Sequence, residues 1–247
     1  MSLQFNDTTT YKGLVQLYER ELSMDPGFIS GDTTRLKAFT ADVNIAFDRF
    51  LALAFESDGT WQFDDSNHTD YPIIRTALVD GQRDYTFTAD ENGNLVLDIY
   101  KVFVRYQNDG LYEEISPVDT NTEAWTEDFD TGQEVEGVPY RYDKLANGIR
   151  LDPIPSYNQS LGLKVYVNRE PSYFVYTDTS KKPGVPGVLH DYFYLEPAHT
   201  YARRKSLAVA DRLALEVFKA EQRIKEHFAR RERDTRKVLR GRMREFR

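Results

Sequence analysis

Cysteine is absent from all 247 residues. That excludes disulfides, thiolate nucleophiles and every cysteine-based metal site, and leaves the redox compartment open. Histidine is scarce: His68, His190, His199 and His227 give little material for metal or triad chemistry. No apolar run approaches the roughly 18–20 residues that cross a bilayer. The opening MSLQFNDTTT has neither a basic n-region nor an apolar h-region. The expectation is therefore a chain neither embedded in a membrane nor secreted. No G-x-S-x-G elbow, P-loop, G-x-G-x-x-G or H-E-x-x-H occurs. Neither enzymatic activity nor a cofactor is expected.

What is present is an ordinary globular composition: 40% hydrophobic, 29% charged and 13% aromatic residues. The length suits one large domain or two small ones. The net charge of −8 conceals a strong asymmetry. Residues 56–143 carry 5 basic against 21 acidic residues, whereas residues 219–247 carry 12 basic against 5 acidic. An acidic middle repels nucleic acid; a basic tail suits nucleic acid or an acidic protein.

Apolar spacing of three and four predicts a helix near 11–24, capped by Thr8, Thr9 or Thr10, and a second near 34–56, capped by Asp32 or Thr33. From Trp61 to Val188 the pattern turns to short runs of Val, Ile, Tyr and Phe. Pro72–Val79, Asp84–Thr88, Leu95–Tyr106, Glu113–Pro117, Ile149–Asp152 and Leu163–Asn168 read as strands. Asp80-Gly81, Asn92-Gly93, Asp109-Gly110 and Asn147-Gly148 punctuate them as turns. The acidic stretch Thr120–Val138 reads as a long excursion. His190–Lys205 reads as a helix kinked or broken near Pro197. A long helix follows, its apolar stripe running from Leu207 to Phe228.

The fold class is accordingly α+β: a helical bundle from N- and C-terminal helices, a large antiparallel β insertion, and a long C-terminal helix or arm. The expected parts are bundle helices over 1–58, the insertion over 59–188, further bundle helices over 189–228, and a basic arm over 229–247. The stripes Leu36–Ala54 and Leu207–Phe228 are wider than one two-helix contact needs. Phe39, Phe47, Phe50, Leu213, Val217 and Ile224 are therefore candidate subunit-interface residues. Beyond Phe228 the stripe stops, and Val238, Leu239, Met243 and Phe246 return among Arg230, Arg231, Arg233, Arg236, Lys237, Arg240, Arg242, Arg244 and Arg247. These residues form a candidate docking arm, because arginine pairs bidentately with carboxylates while its stem covers apolar surface.

Three acidic groups resemble cation sites. Asp64, Asp65 and Asp70 lie near His68, but an acidic loop is the plainer reading. Asp90-Glu91-Asn92-Gly93-Asn94 lacks the closing glutamate of a calcium loop and suits a hairpin turn. Asp128-Phe129-Asp130-Thr131-Gly132 suits an Asx-type turn. Glu113-Glu114 is too ordinary in an acid-rich segment to mark a glycosidase pair. The 16 Tyr, 15 Phe and 2 Trp suit either half-buried interfaces or a stacking platform.

Trp61-Gln62-Phe63-Asp64-Asp65-Ser66-Asn67, Asp70-Tyr71-Pro72-Ile73 and Leu78-Val79-Asp80-Gly81-Gln82-Arg83-Asp84-Tyr85 resemble a pattern in structural neck proteins of tailed bacteriophages. Arg169-Glu170-Pro171-Ser172-Tyr173-Phe174, Asp178-Thr179, Pro183-Gly184-Val185-Pro186 and His190-Asp191-Tyr192 are similar to the same group. Together they span roughly residues 60–205 and are turn and strand signatures. The resemblance implies a head-to-tail adaptor (connector, or gatekeeper). Such a protein forms a homo-oligomeric ring, usually of twelve copies, beneath the portal protein and meets tail or neck proteins. Genomic DNA passes without sequence-specific binding, and the C-terminal arm reaches the portal. Localisation would be the virion neck, after assembly in the host cytoplasm. The competing reading is a carbohydrate- or receptor-binding module of a virion tail, with a cell-wall-degrading enzyme third. The Thr120–Val138 excursion departs from the pattern.

Overall fold

A computed structural model describes residues 3–58, 73–91, 93–106, 110–118 and 135–231, with the main chain alone at Asp58, Arg230 and Arg231. The chain divides into two compact units, residues 1–61 with 173–247, and residues 62–172. The first is built from both ends of the sequence and the second from its middle.

In the helical unit, α1 spans Leu14–Glu21, α2 Thr33–Asp58, α3 Tyr192–Arg204 and α4 Ala210–Arg231. A 3-10 turn over Gly187–Leu189 precedes α3. α2 packs on both α3 and α4, α3 packs on α4, and α1 packs on α3. Asp32 Oδ1 caps α2 by accepting the Thr34 and Arg35 N–H groups at 2.8 and 3.1 Å. The threonine caps expected for α1 are replaced by Gly13. The Asp7 carboxylate accepts the Thr9 and Thr10 N–H groups at 3.0 and 2.9 Å, folding the threonines into a separate turn. α3 passes through Pro197 as one helix rather than breaking there. Leu207 precedes α4 instead of joining its stripe, because Ser206 at φ +52° turns the chain between the two helices.

Aromatic rings dominate the core of this unit. Phe47 and Phe193 lie 4.3 Å apart, Tyr18 and Phe39 4.6 Å, and Phe5 stacks on Phe174 at 4.6 Å. The N-terminal residues enter as an extended segment. Phe5 N–H donates to Lys181 O at 2.7 Å and Asn6 N–H to Thr179 O at 3.0 Å. Phe174 and Val185 are buried with the helices. The connector expected to belong to an insertion reaching residue 188 thus packs in the helical unit from residue 173 onward.

The second unit is a curled mixed sheet: β1 Ile73–Leu78, β2 Asp84–Thr86, β3 Val96–Val104, β4 Glu113–Pro117, β6 Arg141–Leu145, β7 Gly148–Asp152 and β9 Gln159–Arg169. A two-stranded ribbon of β5 Glu136–Gly137 and β8 Ile154–Pro155 accompanies it. The order is β1-β9-β3-β4-β6-β7-β2. A flat sheet of this order would hold β1 and β2 about 29 Å apart, six spacings of ~4.8 Å. Residues 79–83 join them and reach about 20 Å at most. The sheet must therefore curl until its edges approach, and one core cluster joins Leu78, Tyr85, Val102, Ile115, Tyr142, Leu151 and Val165. All expected strands are present. The expected all-antiparallel pattern fails at β4–β6 and β5–β8, which are parallel. Gly81 and Gly93 take φ +73° and +83° in their turns, as their dipeptides require.

Candidate interaction surfaces

The six candidate subunit-interface residues are core residues of their own chain. Phe47, Phe50, Leu213 and Ile224 have no exposed surface, and Phe39 and Val217 almost none. The stripes looked too wide because each helix has more than one partner: α2 meets α3 and α4 together. That expectation is corrected; none of these side chains offers a face to a neighbour.

The candidate docking arm begins where α4 ends. Arg230 and Arg231 close the helix, and Arg233, Arg236, Lys237, Val238, Leu239, Arg240, Arg242, Met243, Arg244, Phe246 and Arg247 lie outside the described residues. Upstream, α4 turns Leu215 and Phe218 outward, each more than half exposed. Phe218 lines a shallow groove with Asp191, Tyr194, Glu216, Lys219 and Arg223, and Arg223 pairs with Asp191. Sequence reasoning passed over these two residues because they fall off the buried stripe.

In the β unit, Asp90 closes the hairpin expected at Asn92-Gly93. Its Oδ1 accepts the Asn94 N–H at 2.8 Å, and its Oδ2 meets Arg169 Nη1 at 2.6 Å. Both side chains of that ion pair are almost wholly buried. Burial works to raise the Asp90 carboxyl, but the bonds from Arg169 and Asn94 outweigh it and hold the group below the usual carboxylate range. The calcium-loop resemblance is thus a structural ion pair. The Asp64, Asp65, Asp70 and His68 group and the Asp128–Gly132 turn lie outside the described residues. Among the described residues, no three His, Asp or Glu side chains converge as metal ligands. None of their helices is long and apolar enough to cross a membrane.

The outer side of strands β1, β9 and β3 carries a different texture. Arg75 pairs in register with Lys164, Lys164 with Phe103, and Phe103 with Glu114, so the four side chains share one cross-strand row. In the next row Lys101 stands opposite Tyr166. Lys164 Nζ lies 4.2 Å from the Tyr112 ring centre, 4.9 Å from Phe103 and 5.5 Å from Tyr166. Phe103 and Tyr166 are 5.4 Å apart. The Arg105 guanidinium lies 5.2 Å from Tyr112 and donates to Ser160 O at 2.8 Å. Lys101 meets Glu114 at 3.6 Å and Arg75 meets Glu91 at 3.3 Å. Across these three strands and Arg105 there are five basic residues (one, Arg169, buried) and a single acid, Asp98.

The opposite charge gathers on the other strands. Residues 113–143 hold ten acidic residues against Arg141 alone. Of these, Glu113, Glu114, Glu136 and Asp143 are described, on β4, β5 and β6. Glu113 borders an apolar groove with Val104, Tyr106, Leu111, Val138 and Pro139, in which Leu111 is almost fully exposed.

No family model matches the chain, and no curated protein is similar to it.

Proposed function

We propose that the chain is a structural head–tail adaptor of a tailed-phage virion, a non-enzymatic ring subunit beneath the portal that links capsid to tail around the DNA channel. The observation that carries the reading is architectural. Both chain ends build one helical unit around a β unit taken from the middle of the sequence, the order that the resemblance in residues 60–205 implies. The described part of α4 ends on two arginines at the start of the basic arm. In this reading residues 229–247 grip the portal protein, and the acidic segment 56–143 lets DNA phosphates pass without adhesion.

A second reading, a glycan- or receptor-binding module, draws on the exposed Tyr106 and Tyr140 of the β unit. Negative-stain microscopy of the purified chain, alone and with portal-bearing capsids, separates the two. The adaptor gives closed rings or decorated portals and binds no sugar on a glycan array. Trimeric rods with a glycan signal would replace it with the second reading. Deleting residues 229–247 should leave a folded protein that no longer stays on the capsids; co-sedimentation at full occupancy would remove the arm from the account.

A further inference from the structure

We propose that the basic–aromatic face of β1, β9 and β3 is one half of the contact between neighbouring copies, and that the acidic side on β4 to β6 of the next copy is the other half. This rests on the ring reading and deepens it by assigning the surface. Two observations carry it. Lys164 lies against three aromatic rings and has no carboxylate within ion-pair distance among the described residues. A cation held in place on a half-buried aromatic platform presents both charge and apolar area to a partner.

The second observation is the polarity within a single unit. The β1–β9–β3 side is basic, whereas residues 113–143 hold ten acids against one arginine, with exposed Leu111 and Val138 beside Glu113. Charge complementarity therefore exists between two copies of the same chain, with apolar surface on both sides of the join. Nucleic acid is the other polyanion such a face can meet. The unit's large acidic excess opposes a phosphate backbone and favours a compact acidic protein surface. In a ring each copy gives one face and takes the other, a heterologous contact that closes on itself.

The test uses full-length protein and two charge reversals. One variant carries Lys101→Glu with Lys164→Glu; the other carries Glu113→Lys, Glu136→Lys and Asp143→Lys. Self-association is followed by sedimentation velocity and negative stain at low and high salt. Each variant alone should associate at least about tenfold more weakly than the natural chain. An equimolar mixture of the two should recover assembly, because every contact in an alternating ring is again between opposite charges. That recovery cannot come from a variant that fails to fold.

Equal assembly by either reversal, or a mixture that stays apart, would overturn this assignment while leaving the ring reading in place. Lys101→Glu/Lys164→Glu abolishing binding of a single-stranded oligonucleotide while leaving self-association intact would give the face to nucleic acid instead. A natural chain that stays monomeric at every concentration, and on portal-bearing capsids, would overturn the ring reading itself.

Discussion

The two units solve the same burial problem with opposite materials. The helical unit fills its core with large rings, Phe5, Phe39, Phe47, Phe50, Phe174, Tyr192, Phe193 and Phe228. The β unit relies largely on Val and Ile, which pack on a pleated surface, with Tyr85 and Tyr142 as its fully aromatic-and-polar members. The helical core also joins residues from both ends of the chain, whereas the β core is contiguous in sequence. One unit closes only when distant segments meet. The other carries all of its partners within one stretch.

The sharpest way to break that contrast is to separate the units. Residues 62–172 alone should refold with a single cooperative transition in circular dichroism. Residues 1–61 alone should not fold, because α2 buries its stripe on α3 and α4 from the far end of the chain. An unfolded 62–172 fragment would show that the β unit, too, leans on the chain ends.

A second contrast concerns buried charge. In the β unit Asp90 and Arg169 neutralise each other out of solvent. Asp90→Leu should cost about 3–5 kcal/mol in denaturant melts, because it strands a buried guanidinium. The double variant Asp90→Leu/Arg169→Met should recover most of that loss, since an apolar pair of similar volume removes both desolvation penalties. Equal damage in single and double variants would mean the pair acts through hairpin geometry rather than charge.

In the helical unit, the buried Glu19 carboxylate has no cation partner among the described hydrogen bonds. It accepts the main-chain N–H groups of Gly27, Ile29 and Ser30 at 3.2, 2.6 and 3.1 Å. Glu19→Gln keeps the shape but turns an amide NH2 toward N–H donors, and should cost about 1–3 kcal/mol. The loss should be confined to the helical transition. A shift of the β transition by the same amount would couple the units.

Local pattern carried much of this architecture into the sequence. α2 declares itself through its apolar spacing, and β1 to β4 through Val and Ile runs between glycine turns. β6 was hidden because Tyr142 is its only buried side chain, and the rest of Arg-Tyr-Asp-Lys-Leu looks like solvent-facing loop. Its charges are taken up across strands: Arg141 pairs with Asp152 and Lys144 with Asp98. Phe5 was missed for a similar reason, being one ring in a polar opening that nonetheless lies fully buried. The candidate interface failed because spacing reveals that a stripe is buried and not what buries it. The basic–aromatic face was invisible because residues 75, 103 and 164 meet only through strand register.

The smallest expected effect is a pH response peculiar to the helical unit. His190 is buried, its Nε2 bonded to Val185 O at 2.8 Å and its Nδ1 accepting the Leu3 N–H at 2.9 Å. A proton on Nδ1 would set one N–H against another and release the N-terminal segment. Burial is the main force pushing the His190 pKa down. The Val185 carbonyl and Asp191 oppose that shift, and the N-terminal charge and Lys182 add to it. Because the folded pKa lies below the unfolded one, the unfolded chain takes up the proton first as pH falls. The stabilisation is therefore complete above the ordinary histidine pKa of about 6.5 and declines below it, down to the folded value. His199, also pushed down by burial, acts in the same direction, so the difference between the natural chain and His190→Gln isolates His190. That variant should flatten the pH dependence of helical-unit stability between about pH 7 and 5. Hydrogen exchange at the Leu3 amide, corrected for intrinsic rate, should show protection at neutral pH that fades with acid. Undiminished protection at pH 5 would mean that the Phe5 and Asn6 bonds to the connector, rather than His190, hold the segment in place.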